Sequence, residues 1–327
     1  AFSFLQPLSG DASGESAKTL EMSDRLGVAY LDLGRYAEAI TLYRDLGARD
    51  PGVHECHYQT QISTAVQALK SGDKSSISHE LERQLALRDA YSKKDVPASA
   101  KLACSNETAA LLAESAMAWH LEAVGSGGVR GTNDERTMDA AAALYRKVSE
   151  HFSKEEWTKF EFPRILRADW PTLPKIHYAL ADLEYARGRW DECARAFDAV
   201  VADDPKGPDA AEAAYASLVC YQKIYERSHK EQDVRRGRGL GPGEGRDAAL
   251  TDAALWQKLA PKPFGELERR MMAAFGRYLC FVEPPKNDKK ALDQQVEVEF
   301  ARARLFYEAQ HWEEAALAFR HIALEHS

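Results

Sequence analysis

The chain has 327 residues, of which 45% are hydrophobic and 29% charged, and its formal net charge is −8. No run of about 18 uncharged apolar residues occurs, so we expect no membrane-spanning helix. The acidic balance argues against a nucleic-acid binder, because such proteins present a basic face to phosphate.

The first 17 residues mix an apolar start with a Gly/Ser-rich stretch, and we predict an N-terminal extension there. A helix is expected to begin near Lys18 and to belong to a pair that closes at Pro51. Within residues 26–51, small and aromatic residues recur at spacings that fit two short antiparallel helices. Gly27 and Ala39 leave room at the helix crossing, Tyr43 fills the space beside it, and Gly34 can adopt the positive φ that ends the first helix. The pattern is carried by Leu26, Gly27, Tyr30, Gly34, Ala39, Tyr43, Leu46 and Pro51.

This order of residues resembles the tetratricopeptide repeat, a helical hairpin with a period of about 34 residues. Two further copies can be aligned with it, in residues 176–205 and 300–327, although Gln310 replaces the helix-ending glycine in the last copy. The resemblance implies an all-α, right-handed superhelical solenoid of about six helical hairpins. One such hairpin cannot bury its apolar face alone, so the three recognisable copies imply neighbours.

The remaining pairs are degenerate and are lengthened between their helices. After Pro51 an eroded pair joins at residues 71–73, and a third pair carries the segment GSGGVRGTNDERT between its helices, predicted as an insertion at about 125–134. A Pro-rich connector leads to the strong repeat at 176–205. The fifth pair has helix A ending near Ser228 and a larger insertion at about 229–260, rich in Gly and Arg.

The larger insertion leaves two hypotheses open. It is either a solvated segment that buries too little apolar surface to order itself, or a docking arm that places Arg235, Arg236 and Arg238 on an acidic partner. We predict a single solenoid over residues 18–327. Because the chain begins at Ala1 without Met and ends at the edge of a repeat, we expect it to be a piece of a longer protein.

The five cysteines do not form a disulfide framework by number or spacing. Cys193 occupies a small buried position of a repeat and is interpreted as a core thiol, and Cys220 and Cys280 lie on apolar helical faces. Cys56 and Cys104 flank one hairpin, so a bridge between them stays open. Such a bridge would imply an oxidising compartment.

Two sequence patterns suggest ligand binding, but the residues around them argue against it. The alternating glycines from Gly237 to Gly245 follow no strand and lack the lysine of a phosphate loop, so we reject nucleotide binding. A metal site at His54, Cys56 and His57 is also rejected, because only the two histidines have helical ligand spacing and no second cluster is near in sequence. We therefore expect no catalytic residues, no cofactor and no metal, and we predict that the chain is not an enzyme.

The repeat family usually lines its groove with the first helix of each hairpin, which takes an extended peptide or a partner helix. Carrying the groove positions over gives aromatic and charged residues in the middle and last repeats. These are Lys175, Tyr178, Asp182, Tyr185, Phe300, Arg304 and Tyr307. For Tyr185 and Phe300 a packing role between repeats is an equal alternative.

The phrases AWHLEA, LYRKVSEHF and YALADLEYARGRWDECARAFDAVV resemble envelope-associated tetratricopeptide-repeat proteins of deltaproteobacteria, including myxobacteria. That resemblance implies a protein-interaction scaffold or adaptor, periplasmic or outer-membrane-associated, in motility or assembly machinery. It would be peripheral to the membrane at most. The alternatives are a cytoplasmic location and a targeting or regulatory arm of a larger enzyme or regulator whose catalytic domain lies outside these residues.

Overall fold

The computed structural model describes residues 13–161, 172–237, 259–284 and 287–326, and only the backbone of 13–16 and 229–237. These residues form helices almost throughout, which confirms the all-α prediction. The chain divides into two compact units, Ala1–Ile176 (unit 1) and His177–Ser327 (unit 2). Whether residues 18–327 form a single array stays a prediction.

The described residues of unit 1 form three antiparallel helical hairpins, in each of which we call the first helix A and the second helix B. Its elements in chain order are α1 (Ser13–Asp32), α2 (Tyr36–Arg49), α3 (Glu55–Leu69), α4 (Lys74–Tyr91), α5 (Ala98–Val124), β1 (Gly125–Ser126), β2 (Val129–Arg130), α6 (Glu135–His151) and the short α7 (Lys154–Trp157). The first helix thus begins before Lys18, within the predicted extension.

The first hairpin closes as the sequence predicts. A Cβ built on Gly27 would lie 2.4 Å from Cζ of Tyr43, so only glycine lets the tyrosine ring pack across the helix crossing. Gly34 ends α1 with φ of +71°, the left-handed conformation that glycine adopts at little cost. Tyr43 and Ala39 are fully buried. The hairpin is therefore specified by small and large residues that face each other.

The insertion between α5 and α6 contains a short β-hairpin that was not predicted from the sequence. Residues 125–130 form a two-stranded antiparallel hairpin in which Ser126 pairs with Val129. The connecting residues Gly127 and Gly128 both have positive φ, +57° and +84°, as a type I′ turn requires. The Gly-Gly dipeptide was the signal for this turn.

Unit 2 repeats the hairpin architecture. The remaining elements are α8 (Leu173–Ala186), whose first residues fall on the unit 1 side of the boundary, α9 (Trp190–Asp203), α10 (Ala210–Gly237), α11 (Glu266–Phe281), α12 (Lys289–Glu308) and α13 (Trp312–Glu325). Counting A and B helices, the described residues of the whole chain provide the six predicted hairpins.

The turns of unit 2 show how one backbone shape tolerates different residues. Gly188, between α8 and α9, has φ of +66°, and Gln310 occupies the matching position between α12 and α13 with φ of +63°. A non-glycine residue in this region carries a steric cost. The Schellman-type end of the helix is therefore kept even where the sequence lost its glycine.

Two predictions about unit 2 need correction. Helix A of the fifth hairpin does not end near Ser228, because α10 continues to Gly237 and takes up the first part of the predicted insertion at 229–260. Arg235 and Arg236 are therefore on a helix, whereas Arg238 and residues 239–258 lie outside the described residues. The prediction that the insertion is mobile concerns these residues and therefore also lies outside the described part of the chain.

The cysteines also depart from expectation. Cys56 and Cys104 form a disulfide between α3 and α5, which resolves the alternative left open. Cys193, interpreted as a core thiol, and Cys220, placed on an apolar helical face, form a second disulfide between α9 and α10. Both are fully buried, so burial was predicted and pairing was missed. Cys280 is exposed and lies outside both disulfides.

None of the helices within the described ranges combines the length and apolar character needed to cross a membrane.

Candidate partner-binding surface

An aromatic residue occupies the same position on each of the three A helices that the structure describes in unit 2. Tyr178 on α8 lies three residues before the buried Ala181, Tyr215 on α10 three before Leu218, and Phe300 on α12 three before Ala303. We call Tyr178, Tyr215 and Phe300 together the aromatic column. Because residues three apart share a helical face, the column follows the A-helix face of the unit.

The members of the column differ in how far they are covered. Tyr178 and Tyr215 are half-buried, whereas Phe300 is 51% exposed. Tyr178 packs edge-on against Phe197 of α9, with ring centroids 5.4 Å apart, and Phe300 packs on Phe319 of α13 at 5.5 Å. Each ring therefore packs against the B helix of its own hairpin, and Phe300 keeps half of its surface for another contact.

A carboxylate of the next A helix lies beside each tyrosine of the column. Burial raises the pKa of Tyr178, and a hydrogen bond with Glu212 of α10 raises it further. Burial likewise raises the pKa of Tyr215, helped by the negative charge of Glu297 on α12. Aromatic and acidic groups thus alternate from α8 to α12, and both hydroxyls stay protonated at neutral pH.

A cavity of about 470 Å³ opens between α10 and α12, next to Phe300. Its apolar floor comes from three helices. The floor residues are Leu218, Met271, Phe275, Val298 and Leu305, all buried. The volume lies in the range of sites that accept a small ligand or a few side chains.

The rim of this cavity is acidic. Arg304 Nε lies 2.6 Å from Glu308 Oε1, and Tyr225 donates a hydrogen bond to the same carboxylate. Glu226 accepts a hydrogen bond from Gln222 at 2.9 Å and lies 3.6 Å from the Lys223 ammonium. The fourth rim charge, Glu297, is exposed and forms no ion pair with any residue that the structure describes.

The structure brings together some of the predicted groove residues but not all. Phe300 and Arg304 line the cavity. Tyr178 stands in the aromatic column, and Lys175 and Asp182 are exposed on α8. These placements are compatible with the predicted groove, whose use by a partner stays a prediction.

The other two predicted residues lie at the ends of the A helices. Tyr185 packs against Trp190 with centroids 5.5 Å apart, and Tyr307 packs against Trp312 at 5.2 Å. They keep 41% and 55% of their surfaces exposed. Both pairs sit at the turn between two helices rather than in the cavity.

The groove residues predicted from the sequence do not include the α10 wall of the cavity. Tyr215, Val219, Gln222 and Glu226 form a stripe along α10 because they recur at intervals of three or four residues. The eroded repeat pattern of α10 hid this stripe. A search for helical periodicity, without the family pattern, would have found it.

On the A-helix face of unit 1 an ion pair takes the place of the aromatic column. His57 Nε2 of α3 lies 3.1 Å from Asp24 Oδ1 of α1, and Tyr43 donates a hydrogen bond to the Asp24 carbonyl at 3.2 Å. The hydrogen bond to Asp24 raises the pKa of His57, and the same bond lowers the pKa of Asp24. This face therefore carries a titratable contact between two hairpins.

Side chains of the rejected metal site are bound to other groups. Cys56 is held in its disulfide, and His54 Nδ1 lies 2.7 Å from Asp50 Oδ2. Within the described part of the chain, no three His, Cys, Asp or Glu side chains gather as a metal site requires.

Comparison with known proteins identifies the repeats. Models of the tetratricopeptide repeat match residues 24–52 and 178–224. The chain therefore contains tetratricopeptide repeats at these residues, a fold that typically serves protein–protein interaction. The matched segments contain the second half of α1 with α2, and most of α8 with α9 and the first half of α10.

Among solved structures, the chain is similar to one titled as nearly identical TPR-like repeats of a Podosopora anserina kinesin light chain. The identity is 19%, the match covers 67% of this chain and 93% of that chain, and the TM-score is 0.31. No curated protein matches the chain.

Proposed function

We propose that the chain is a non-catalytic scaffold or adaptor that holds a segment of a partner protein on the A-helix face of unit 2. The observation that carries this proposal is the open cavity between α10 and α12 with the half-exposed Phe300 at its edge. A large aromatic side chain beside an apolar pocket is typical of the energetic centre of a protein interface.

The physical basis is a rigid surface formed before the partner arrives. The floor residues belong to the packed core of unit 2, which also contains Ala213, Ala274 and Tyr278. Because these helices are fixed by that core, the scaffold loses little conformational entropy on binding, and most of the ordering cost falls on the partner. An extended segment or a short helix fits such a groove.

The test is photo-crosslinking in the cells that produce the protein, followed by binding with the purified partner. A photoreactive residue at Phe300 should capture one recurrent protein, and one at the exposed Glu150 of α6 should not. The purified partner should then bind the chain, and Phe300→Ala should weaken that binding about tenfold. Equal capture at both positions, or binding that ignores Phe300, contradicts the proposal.

We further propose that the scaffold works in an oxidising compartment, as a periplasmic or outer-membrane-associated subunit of a bacterial envelope complex. The two disulfides support this, because cystines persist outside the reducing cytosol. The resemblance to envelope-associated repeat proteins points the same way. Alkylation of intact cells before lysis tests it: only Cys280 should react, and reaction of the other four cysteines contradicts this location.

A further inference from the structure

We infer that the cavity between α10 and α12 selects a partner segment in which a bulky apolar or aromatic residue is flanked by Lys or Arg. This inference rests on the proposed scaffold function and adds the chemistry of the partner. It follows from the composition of the floor, the charges of the rim and the position of Phe300.

The floor sets the need for an apolar residue. Its buried surface consists of aliphatic, methionine and phenylalanine side chains, with Met271 and Phe275 of α11 at the bottom. A partner side chain that fills the cavity gains roughly 25 cal/mol for each Å² of apolar surface removed from water. A polar or charged side chain would lose its hydration there with no partner in the floor.

The rim sets the need for a flanking cation. Among the described residues it carries three carboxylates, Glu226, Glu297 and Glu308, against the guanidinium of Arg304. Arg304 is already bound to Glu308 at 2.6 Å, so an incoming carboxylate would compete for an engaged cation. An incoming ammonium or guanidinium meets Glu297, which has no ion-pair partner among the described residues.

The aromatic column supplies a second attraction for the same cation. Phe300 exposes half of its ring beside Glu297, which lies three residues earlier on α12. A cation that reaches Glu297 therefore also lies close to an aromatic face, and such contacts add to the Coulomb attraction. The net charge of −8 favours the approach of a basic segment at a distance.

Lys223 is the group that opposes this preference. It lies 3.6 Å from Glu226 and reduces the negative potential at that side of the rim. The cationic residue of the partner is therefore expected at Glu297 rather than at Glu226. This assigns separate positions to the apolar anchor and the charge.

The experiment is selection of random peptides of about twelve residues displayed on phage, against the purified chain. We expect enriched peptides to place Lys or Arg within three positions of a bulky apolar residue. A labelled peptide of the enriched sequence should lose about tenfold in affinity with Phe300→Ala and several-fold with Glu297→Lys. Raising NaCl from about 0.05 M to 0.5 M should also weaken its binding.

The matched control is Glu150→Lys, which changes the net charge equally at an exposed position of α6 in unit 1. It should leave peptide binding unchanged, and thermal unfolding should show that all variants are folded. Enriched peptides that are acidic or uncharged, yet still depend on Phe300, overturn the inference and leave the scaffold proposal standing. Failure to enrich any peptide that depends on Phe300 overturns both.

Discussion

Units 1 and 2 are built from the same hairpin but carry different chemistry on their A-helix faces. In unit 1 the ion pair of Asp24 and His57 links α1 to α3. In unit 2 the corresponding position of α8 is Tyr178, the first member of an aromatic column that reaches Phe300. The contrast shows that the residues closing a hairpin and the residues on the A-helix face are separate sets, so one can vary while the other stays.

The two units also place their disulfides differently. Cys56–Cys104 joins the A helices of neighbouring hairpins, whereas Cys193–Cys220 joins a B helix to the next A helix. Each bridge fixes the junction between two hairpins. In unit 2 that junction holds α10, which forms one wall of the cavity.

Loss of the disulfides should have the largest effect on stability. The bridges span 48 and 27 residues, and loop-closure entropy then predicts losses of about 4 kcal/mol for Cys56→Ala with Cys104→Ala, and about 3.5 kcal/mol for Cys193→Ala with Cys220→Ala. Hydrogen exchange with mass spectrometry should show the loss of protection in α3 and α5 for the first variant, and in α9 and α10 for the second. Unchanged protection would mean that the bridges add nothing to a junction already fixed by packing.

The next largest effect concerns the helix crossing of the first hairpin. Gly27→Ala should destabilise unit 1 by about 1–3 kcal/mol, because the new Cβ would overlap the Tyr43 ring. The control is Gly47→Ala on α2, where nothing lies within 4 Å of the added Cβ and better helix propensity should stabilise by up to about 1 kcal/mol. Both are measured by urea unfolding.

Unit 2 suggests how this overlap can be relieved. There Ala181 occupies the position of Gly27, and Phe197 that of Tyr43, both buried in one core. Phenylalanine keeps Cζ but lacks the hydroxyl that Tyr43 donates to the Asp24 carbonyl, so its ring is freer to shift away from the new Cβ. Adding Tyr43→Phe to Gly27→Ala should therefore recover part of the lost stability. Strictly additive effects of the two changes would show that the pair does not interact.

A smaller effect is expected at the turn before α13. Gln310→Gly should stabilise unit 2 by about 1 kcal/mol, because glycine adopts φ of +63° without the Cβ penalty. The substitution also removes the buried Gln310 Oε1, which accepts no hydrogen bond from any described residue. The reverse change, Gly188→Ala at φ of +66°, should cost a similar amount, and thermal unfolding of both variants measures the two effects.

The sequence predicted the hairpins well for a physical reason. Glycine at a crossing or a positive φ, and an aromatic residue opposite it, leave a local pattern that can be recognised in one chain. Gly27, Tyr43 and Gly34 are of this kind, and the structure confirms them. The helix starts and ends were less certain, as α1 and α10 show, because their limits depend on contacts that leave no local signal.

The cavity and the cystines were harder to predict because they depend on residues far apart in sequence. Tyr215 meets Glu297 only after α10 and α12 have been packed side by side. Cys193 and Cys220 each fit a buried helical position, and nothing in their spacing shows that their side chains point at each other. Phe300 and Arg304, predicted from the family pattern, line this cavity, and their use by a partner stays a prediction.

The smallest expected effect is the pH dependence of the unit 1 ion pair. The pKa of His57 is raised in the folded state, so its contribution is present below the unfolded value of about 6.5 and is lost as pH rises through the folded pKa. The pKa of Asp24 is lowered, so its contribution is present above its unfolded value of about 3.9 and is lost as pH falls through the folded one. The pair should therefore stabilise unit 1 most between these limits.

His57→Gln tests the charge of this contact, because glutamine keeps a hydrogen-bonding group at this position but does not titrate. Because the His57 and Asp24 side chains are about one-third exposed, the free energies of unfolding of wild type and the variant should differ by only ~0.3–0.5 kcal/mol. Hydrogen exchange in α1 and α3 should show wild type losing stability relative to the variant as pH rises from about 6.5 through the raised pKa of His57. The tyrosines of the unit 2 column stay protonated throughout that range, since their pKa values are raised, so Tyr178→Phe should give a difference that does not change with pH. A pH-dependent difference there would show that the two A-helix faces are electrostatically more alike than their residues indicate.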